Sequence, residues 1–359
     1  MMEIQGSGVV FTHGRGTEDL DKILRGNWIS PERQDVPGRN APMPAFRVPK
    51  KTLKDKTTLK GMRRADRLSR MATLAATDAW QTASLENTNP ARVGIILATA
   101  LGPHARTFQF LDNILDFGDE AVSPTIFSHS VHNAAASYIA TTLDVHGPVL
   151  TVTDFDFAFQ QALATARCWL DQDRCDAVLA GTAEELGEVM LHVCGRMVTM
   201  PDNGRPRPLA FAENPVIVPG EGAAFFVLTS ETRGEGRVSV TTAKPENDAD
   251  LTILDAEGLS GSEMAYRDLL PETGQVANYC PVFGSMMTGT ALQCAIAELS
   301  LRGQMRYASP LTDGTKELRV CRETGPAKIK TIQCIKIGRD QAVQNITLCR
   351  RMRQLELDK

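Results

Sequence analysis

The sequence of 359 residues predicts an α/β domain whose helices cover both faces of a sheet. Segments that read as strands alternate along the chain with segments of helical periodicity. Several strands are apolar along their whole length, most clearly RVGIILATA at 92–100, which is typical of strands buried on both faces. Hydrophobic residues form 42% of the chain and charged residues 23%, as expected for a globular domain with ample material for a core.

The N-terminal elements begin with the strand MEIQGSGVVF (2–11) and the helix TEDLDKILRGNW (17–28). Residues 31–58 carry Pro, Lys and Arg with weak periodicity and predict a surface excursion. Residues 59–83 have apolar side chains at helical spacing and a strongly basic outer face, so they predict an amphipathic helix. We interpret its arginines as a solvated helix face: Arg63, Arg64, Arg67 and Arg70.

The alternation continues through a strand at 92–100, a helix around 105–116, a loop entering a small-residue helix at 123–145, a strand at 175–185 and a Gly-rich turn between strand-like segments at 215–231. Among these, residues 147–166 (GPVLTVTDFDFAFQQALATA) predict a buried strand that runs through a tight turn into a helix. Beyond residue 230 the pattern is weaker, with one or two strands at 238–264, a helix at 283–303 and a closing hairpin at 328–350.

Charge and cysteine content exclude several classes of protein. The net charge of −4 lacks the basic footprint that nucleic-acid binding requires. No apolar run reaches the length of a membrane span, and the N-terminus lacks the layout of a signal peptide. The eight cysteines include no CxxC pair and predict reduced thiols in a cytoplasmic protein, rather than disulfides or a zinc site. We expect neither a metal nor a cofactor.

Separated segments of the chain resemble the β-ketoacyl synthase family. They are LKGMRRADRLSRMATLAATDA, similar to its early arginine-rich helix; SPTIFSHSVHNAAASYIA, similar to the segment before its dimer-interface helix; the stretch from GPVLTV to AGTAEE, similar to its strand, nucleophile helix and next strand; and RPRPLAF with VPGEGAAFFVL, similar to its RPF and GEGA motifs. The resemblance covers most of the chain and is strongest at 60–230.

This resemblance implies a thiolase-like fold, with two related βαβαβ halves in a layered α-β-α-β-α arrangement. The halves would be residues 1–230 and a shortened 231–359, packed as one compact unit. The resemblance also implies what an active member needs. A cysteine at the nucleophile turn takes the acyl chain, and two histidines from the C-terminal half assist decarboxylation and stabilise the enolate and oxyanion.

None of these three positions holds the family's residue. The nucleophile position falls on Asp156, the first histidine position on Glu257 and the second on Ser285, and the lysine usually found just upstream corresponds to Cys280. The closing glycine-rich loop is kept only around Gly338. The histidines all precede the positions where the family needs them, so no alignment register restores a Cys-His-His site: they are residues 13, 104, 129, 132, 146 and 192.

Structural roles account for the residues at the turn. We expect Asp154 or Asp156 to cap the following helix, because a carboxylate there accepts backbone N–H bonds and meets the positive end of the helix dipole, worth about 0.5–2 kcal/mol. Phe155, Phe157 and Phe159 would pack as core, or plug the cavity where a thioester would sit.

Other motifs also receive structural interpretations. HGRGT at 13–17 imitates the family's histidine motif but follows the first strand, so it predicts a loop. The Ser and His residues at 128–132 lack a G-x-S-x-G elbow, and the glycines at 220–222 lack the rest of a nucleotide fingerprint, so they predict a tight turn. The arginines of the 59–83 helix could also attract an acidic carrier protein.

A ketosynthase-like chain without the catalytic groups resembles a chain-length factor of bacterial type II polyketide or aryl polyene systems. The resemblance implies a heterodimer with an active ketosynthase whose acyl tunnel runs into the interface, and an acyl carrier protein that binds mainly through that partner. The expected interface or tunnel residues are Phe127, His129, His132, Phe155, Phe157 and the strand 147–152. The alternatives are a divergent decarboxylase or acyltransferase using Asp156 and Glu257, and a binding-only scaffold for the carrier protein.

Overall fold

The computed structural model describes residues 1–36, 38–83, 85, 88–118, 120, 122–212, 214–230, 237–242, 249–259, 263–271, 274–313, 315 and 318–351. The strands are β1 (Met2–Phe11), β2 (Gly14–Arg15), β3 (Glu32–Gln34), β4 (Met43–Ala45), β5 (Val93–Thr99), β6 (Val149–Thr153), β7 (Ala177–Glu184), β8 (Gly222–Ser230), β9 (Val238–Thr241), β10 (Leu251–Leu254), β11 (Gln275–Ala277), β12 (Met305–Arg306), β13 (Gly325–Pro326), β14 (Thr331–Ile337) and β15 (Val343–Arg350). The α-helices are α1 (Gly16–Arg25), α2 (Arg67–Ala83), α3 (His104–Phe117), α4 (Pro124–Ser130), α5 (Ala134–Leu143), α6 (Ala158–Asp171), α7 (Glu188–Met197), α8 (Cys280–Phe283) and α9 (Thr290–Gly303). A 3₁₀ helix spans Glu263–Leu269.

The N-terminal and C-terminal halves of the large sheet repeat one strand order. Neighbouring strands run β6-β5-β7-β8-β1 in the first half and β11-β10-β14-β15-β9 in the second, so each half follows the order third, second, fourth, fifth, first. The directions repeat as well: the first two pairings in each series are parallel and the next two are antiparallel. The halves join where β1 pairs with β9 through Met2–Val240 and Glu3–Ser239. The prediction of two related halves is confirmed.

Helices lie between and outside the two halves. The helices α6 and α9 share one core cluster with the inner faces of both sheet halves. On the outer face of the first half, α2 packs against β1, β8 and β7. On the outer face of the second half, the described core contains the 3₁₀ residue Tyr266 and the loop residues Leu209 and Phe211. This is the layered α-β-α-β-α arrangement of a thiolase-like fold, as predicted.

The connection between the first two strands is shorter in the C-terminal half. Residues 12–92 connect β1 to β5 and include the 17-residue helix α2, whereas only residues 242–250 connect the equivalent strands β9 and β10. A connection of this length cannot hold a helix like α2, which rises about 1.5 Å per residue across the sheet. The C-terminal half is therefore shortened at this connection.

The helix α2 starts at Arg67. The apolar pattern predicted a start at residue 59. Asp66 sets this start, because its Oδ1 accepts the N–H of Ser69 at 2.8 Å and its Oδ2 accepts the Ser69 hydroxyl at 2.6 Å. Before it, Gly61 has a positive φ of 85°, which a helix does not allow.

The interpretation of four solvated arginines is wrong for two of them. Arg67 donates to the buried carboxylate of Glu221, with Nε 2.8 Å from Oε2. Arg70 donates to backbone carbonyls in the preceding loop, including that of Ala65 at 3.1 Å. Arg63 and Arg64 are exposed, but they precede the helix. The two inner arginines therefore hold the excursion and the GEGA turn in place.

Two short helices differ from the prediction. The segment at 124–130, expected to be a loop, forms α4, and Pro124 occupies its first turn. The helix α7 was not predicted, because only Leu191 and Cys194 of its residues are buried and its apolar periodicity is weak. Residue 231, and parts of the strands expected in 238–264, lie outside the described residues, so the boundary between residues 230 and 231 stays a prediction.

Candidate functional site

The turn between β6 and α6 is held by Asp154. Its Oδ1 accepts the backbone N–H groups of Asp156 at 2.7 Å and Phe157 at 2.8 Å, and its Oδ2 accepts the side chain of Gln161 at 2.7 Å. Burial favours the neutral acid, but these donors outweigh it, so the pKa of Asp154 lies below its ordinary value. The helix begins at Ala158 without a side-chain cap. Asp154 therefore fixes the turn, and the expectation that it or Asp156 caps the helix is wrong.

Asp156 faces the loop between β14 and β15. Its Oδ2 accepts the backbone N–H of Arg339 at 3.1 Å, and its Oδ1 lies 3.6 Å from Arg339 Nε. This Oδ1 is buried and accepts no hydrogen bond from the described residues. The Arg339 guanidinium also lies 4.7 Å from the centre of the Phe155 ring, a cation–π contact. Arg339 thus joins the loop to the turn.

The three phenylalanines after Asp154 have different environments. Phe155 is 46% exposed. Phe157 packs against Gly338, where an added Cβ would lie 2.7 Å from the ring. Phe159 is buried and pairs with Phe226 at 5.8 Å between ring centroids. The three rings therefore do not form a single plug.

A cavity of about 430 Å³ opens beside the turn. Its lining consists of Ala100, His132, Thr153, Asp154, Phe155, Asp156 and Arg339. The structure thus brings two of the predicted interface residues, His132 and Phe155, to the same cavity as Asp156.

Glu257 forms a buried ion pair with Lys336. Lys336 Nζ lies 3.1 Å from Glu257 Oε1 and 3.6 Å from Asp255 Oδ2, and it donates to the backbone carbonyl of Met287. The side chains of Lys336, Glu257 and Asp255 are at most 1% exposed. Burial opposes the charge of Lys336, but the two carboxylates outweigh it, and the pKa of Lys336 lies above its ordinary value. The other oxygen of Glu257 accepts the N–H of Leu259 at 2.6 Å.

Asp255 connects this pair to the position that the resemblance matches to a lysine. It accepts the hydroxyl of Thr290 and, at 3.4 Å, the amide of Gln293, and its Oδ1 lies 4.0 Å from Cys280 Sγ. Burial raises the pKa of Asp255 in spite of Lys336, and burial also raises the pKa of Cys280 well above its ordinary value. Cys280 is therefore a buried neutral thiol, which is a poor nucleophile.

Ser285 lies between α8 and α9 and is held through its backbone. Its N–H donates to the carbonyl of Val218 at 2.8 Å, and its carbonyl accepts the N–H of Gly220 at 3.0 Å. The two chain segments approach so closely that a Cβ on Gly220 would lie 2.0 Å from the carbonyl oxygen of Phe283. Glycine is required there because no side chain fits.

The space between Ser285 and the end of β7 is nearly filled. The cavity that remains has a volume of about 50 Å³, far below the ~300–1,000 Å³ of typical ligand pockets. Its walls are mostly apolar: Leu101, Leu186, Met190, Cys194, Pro219, Gly220, Leu259, Met286 and Met287, with Glu184, Glu185 and Ser285. An acyl chain does not fit in this volume.

Two buried glutamates border this small cavity. Glu184 accepts the N–H of Ala100 and, at 3.1 Å, the hydroxyl of Thr99, and burial raises its pKa to about 7. Glu185 accepts the N–H of Ala105 at 2.9 Å, and burial raises its pKa to about 7 as well. A group that titrates near neutrality is a candidate acid or base. Glu184 borders the cavity of about 50 Å³, and Glu185 also lines a second cavity of about 180 Å³ that contains Arg67 and Arg106.

Met287 is the point at which the predicted positions come together. Its carbonyl accepts Lys336, the partner of Glu257, and its Sδ lies 3.9 Å from Nη2 of Arg339, the partner of Asp156. The second histidine position lies two residues before it in the chain. In the described site Asp156 is paired with Arg339, while Glu257 and Asp255 share Lys336.

An exposed apolar face lies along β6, α3 and α4. In the described chain β6 is an edge strand whose pairing is with β5, and Val149 and Leu150 are exposed. The prediction that this strand is buried is therefore wrong for the chain by itself. Eight of the fourteen large hydrophobic side chains exposed in the described residues belong to this face: Leu111, Leu115, Phe117, Phe127, Val131, Val149, Leu150 and Phe155. The predicted residue His129 lies beside it, with Nε2 2.7 Å from the Tyr138 hydroxyl. An edge strand surrounded by exposed apolar side chains is typical of a docking surface.

A cationic patch precedes α2. Its exposed side chains make no ion pair with any described residue: Lys50, Lys51, Lys54, Lys56, Lys60, Arg63 and Arg64. The one carboxylate in this stretch, Asp55, is bound to Arg15 at 2.6 Å. Such a patch attracts acidic partners, more strongly at low salt.

A family model described as β-ketoacyl synthase, N-terminal domain, matches residues 4–233. The chain belongs to the β-ketoacyl synthase family. A curated relative, Nodulation protein E of Rhizobium meliloti (strain 1021), is 28% identical over 232 residues. The aligned part is 63% of this chain and 57% of that protein. The alignment thus spans little more than half the length of that relative.

Solved ketosynthase structures resemble nearly the whole chain. The ishigamide ketosynthase/chain length factor has a TM-score of 0.78 and 18% identity, over 97% of this chain and 98% of that chain. A type II PKS acyl-carrier protein in complex with its ketosynthase bound to the hexaketide has a TM-score of 0.76 and 16% identity, over 98% of this chain and 99% of that chain. These likenesses show the thiolase-like fold.

Two features are absent from the described residues. None of their helices combines the length and the apolar character needed to cross a bilayer. They also contain no group of three or more His, Cys, Asp or Glu arranged to hold a metal ion.

Sequence reasoning missed Lys336 and Arg339, the two cations of the site. A signal for Lys336 was present, because alternate residues of a strand share one face and Lys336 alternates with Ile332 and Cys334. Those two face the core, so Lys336 had to be buried and paired. Arg339 lies in a loop, where no periodicity fixes its direction.

Proposed function

We propose that this chain is a non-catalytic chain-length factor, which pairs with an active ketosynthase and shapes the acyl tunnel that sets polyketide or aryl polyene length. The observation that carries the proposal is the buried Glu257–Lys336 ion pair, with Nζ 3.1 Å from Oε1. Glu257 stands at the position matched to the first histidine. A carboxylate there repels a developing enolate or oxyanion, whereas the family's imidazole stabilises it. Asp156, at the nucleophile position, cannot form a thioester through sulfur.

The apolar face along β6 supports a subunit as the partner. Burial of apolar surface contributes about 25 cal/mol per Å², and an edge strand offers backbone groups to a second sheet. The ishigamide ketosynthase/chain length factor is an assembly of the kind proposed here. We assign the partner as an active ketosynthase with an intact Cys-His-His site.

An acyl carrier protein is the second proposed partner. We expect it to deliver its cargo to the active subunit, and the cationic patch gives this subunit a surface that suits an acidic carrier. We place the complex in the cytoplasm, because all eight cysteines are free and most are buried, as expected in a reducing compartment.

Co-expression with a ketosynthase from the same genome tests the proposal. The two chains should co-purify as a one-to-one complex, and chain extension from malonyl carrier protein should require both. Ser285→Ala should leave the turnover of the complex unchanged, since Ser285 is held through its backbone. A well-behaved monomer that ignores the ketosynthase would contradict the proposal. Release of carbon dioxide from malonyl carrier protein by this chain alone would favour the decarboxylase or acyltransferase that uses Asp156 and Glu257.

A further inference from the structure

The cavity of about 430 Å³ beside the turn is a polar region within the exposed apolar face. Phe155 belongs to both, and Val131 of the face directly precedes the cavity residue His132. When a partner covers the face, the polar groups of the cavity lose water. A buried polar group without a hydrogen bond costs about 1–3 kcal/mol, so the partner must supply matching groups.

The charges that line the cavity do not balance within the chain. Asp154 and Asp156 contribute two carboxylates, and Arg339 is the one permanent cation among the lining residues. Asp154 already accepts three hydrogen bonds. Asp156 Oδ1 is buried without a hydrogen bond, and Arg339 Nε, 3.6 Å away, is beyond hydrogen-bond distance. Asp156 is therefore the group that lacks a donor.

We propose that an arginine or lysine side chain of the partner ketosynthase enters this cavity and binds Asp156. The inference rests on the proposed heterodimer and adds the chemistry that selects the partner. A basic side chain supplies both the missing donor and the missing positive charge, whereas a neutral donor supplies only the first. A partner with an apolar or acidic residue at this place would leave Asp156 Oδ1 buried without a hydrogen bond, which disfavours the wrong pairing.

The affinity of the chain for its ketosynthase, measured at low and high salt, tests the inference. Asp156→Asn removes the charge and keeps the shape, and it should weaken the complex at least tenfold and flatten its salt dependence. Asp171→Asn is the matched control, because Asp171 ends the helix α6 that follows Asp156 and pairs with Arg167 at 2.5 Å on the exposed surface. The control should bind like the wild type.

A second variant tests the inference even if Asp156→Asn does not fold. Thr153 is exposed and lines the cavity, so Thr153→Arg would fill it with a cation from this chain. This variant should also lose at least tenfold in affinity, while thermal unfolding of each variant alone reports whether the fold is intact.

The outcomes separate the inference from the proposed function. A complex that forms with equal affinity and equal salt dependence in the wild type and Asp156→Asn overturns the inference alone. Absence of any complex with the ketosynthase overturns the proposed function and the inference with it. Self-association that depends on Asp156 assigns the cavity to a second copy of the chain and also overturns the inference.

Discussion

Replacement of Lys336 by methionine should destabilise the fold strongly. Lys336→Met keeps a long apolar side chain but removes the ammonium that lies 3.1 Å from Glu257 and 3.6 Å from Asp255. Removal of one partner from a buried ion pair costs about 3–5 kcal/mol, because the remaining charge stays buried and uncompensated. The carbonyl of Met287 loses its donor as well. We expect the free energy of unfolding to fall by about 3–5 kcal/mol.

Urea unfolding followed by circular dichroism measures this loss. Lys328→Met is the matched control, because Lys328 is exposed and surface substitutions change stability by about 0.5 kcal/mol or less. The double variant Lys336→Met/Glu257→Gln should recover part of the loss, since it removes one of the stranded charges. Acidification from pH 7 towards pH 5 should also recover part of it. Burial already raises the pKa of Asp255, and without Lys336 this carboxyl binds its proton more tightly in the folded state, so stability rises as pH falls.

Two results would refute this reasoning. If Lys336→Met and Lys328→Met unfolded at the same urea concentration, the buried pair would contribute nothing to stability. If the double variant were less stable than Lys336→Met, Glu257 would have a stabilising role that does not depend on the lysine.

Three further predictions concern the surroundings of the site. Glu184→Gln should raise the free energy of unfolding at pH 8 by roughly 2–3 kcal/mol, because burial raises the pKa of this acid to about 7. The variant should also flatten the change in this free energy between about pH 4.5 and 7. Urea titrations that show the wild-type pH profile for the variant would exclude this. Asp55→Asn should cost stability at neutral pH and much less at pH 2. Hydrogen bonds outweigh burial and hold the pKa of Asp55 at about 2, so its contribution is lost as pH falls from the unfolded value of 3.8 through about 2. The same loss at pH 2 as at pH 7 would count against this. Gly220→Ala should prevent folding, because its Cβ would lie 2.0 Å from a backbone oxygen, and a native circular dichroism spectrum would disprove the clash.

The sequence was most informative where elements are long and buried. The strand at 2–11 was predicted with its observed bounds, and the closing hairpin at 328–350 was predicted with its antiparallel pairing. The start of α2 could not be predicted from periodicity, because residues 59–66 keep the helical spacing of apolar side chains. A positive φ at Gly61 and the cap at Asp66 stop the helix there, and neither is visible in a hydrophobic pattern.

The partners of the site residues were not predictable from local sequence. Lys336 lies 79 positions from Glu257, and Arg339 lies 183 positions from Asp156. The first pair meets because β10 and β14 are neighbours in the sheet, and the second because the loop after β14 reaches the turn after β6. Strand order is a property of the whole fold. The motifs identified Glu257 and Asp156, but motif spacing carries no information on which distant residues pair with them.

Under the proposed function, the pairing of Lys336 with Glu257 also limits the routes by which this chain could acquire the family's Cys-His-His site. Glu257→His would remove a carboxylate from the buried lysine and set an imidazole beside its ammonium. That intermediate would carry a buried cation with weaker compensation, a cost of several kcal/mol before any activity is gained. Lys336 would therefore have to change first or at the same time, in addition to Asp156 and Ser285. The contact that now stabilises the core therefore opposes evolution towards a histidine at this position by single substitutions.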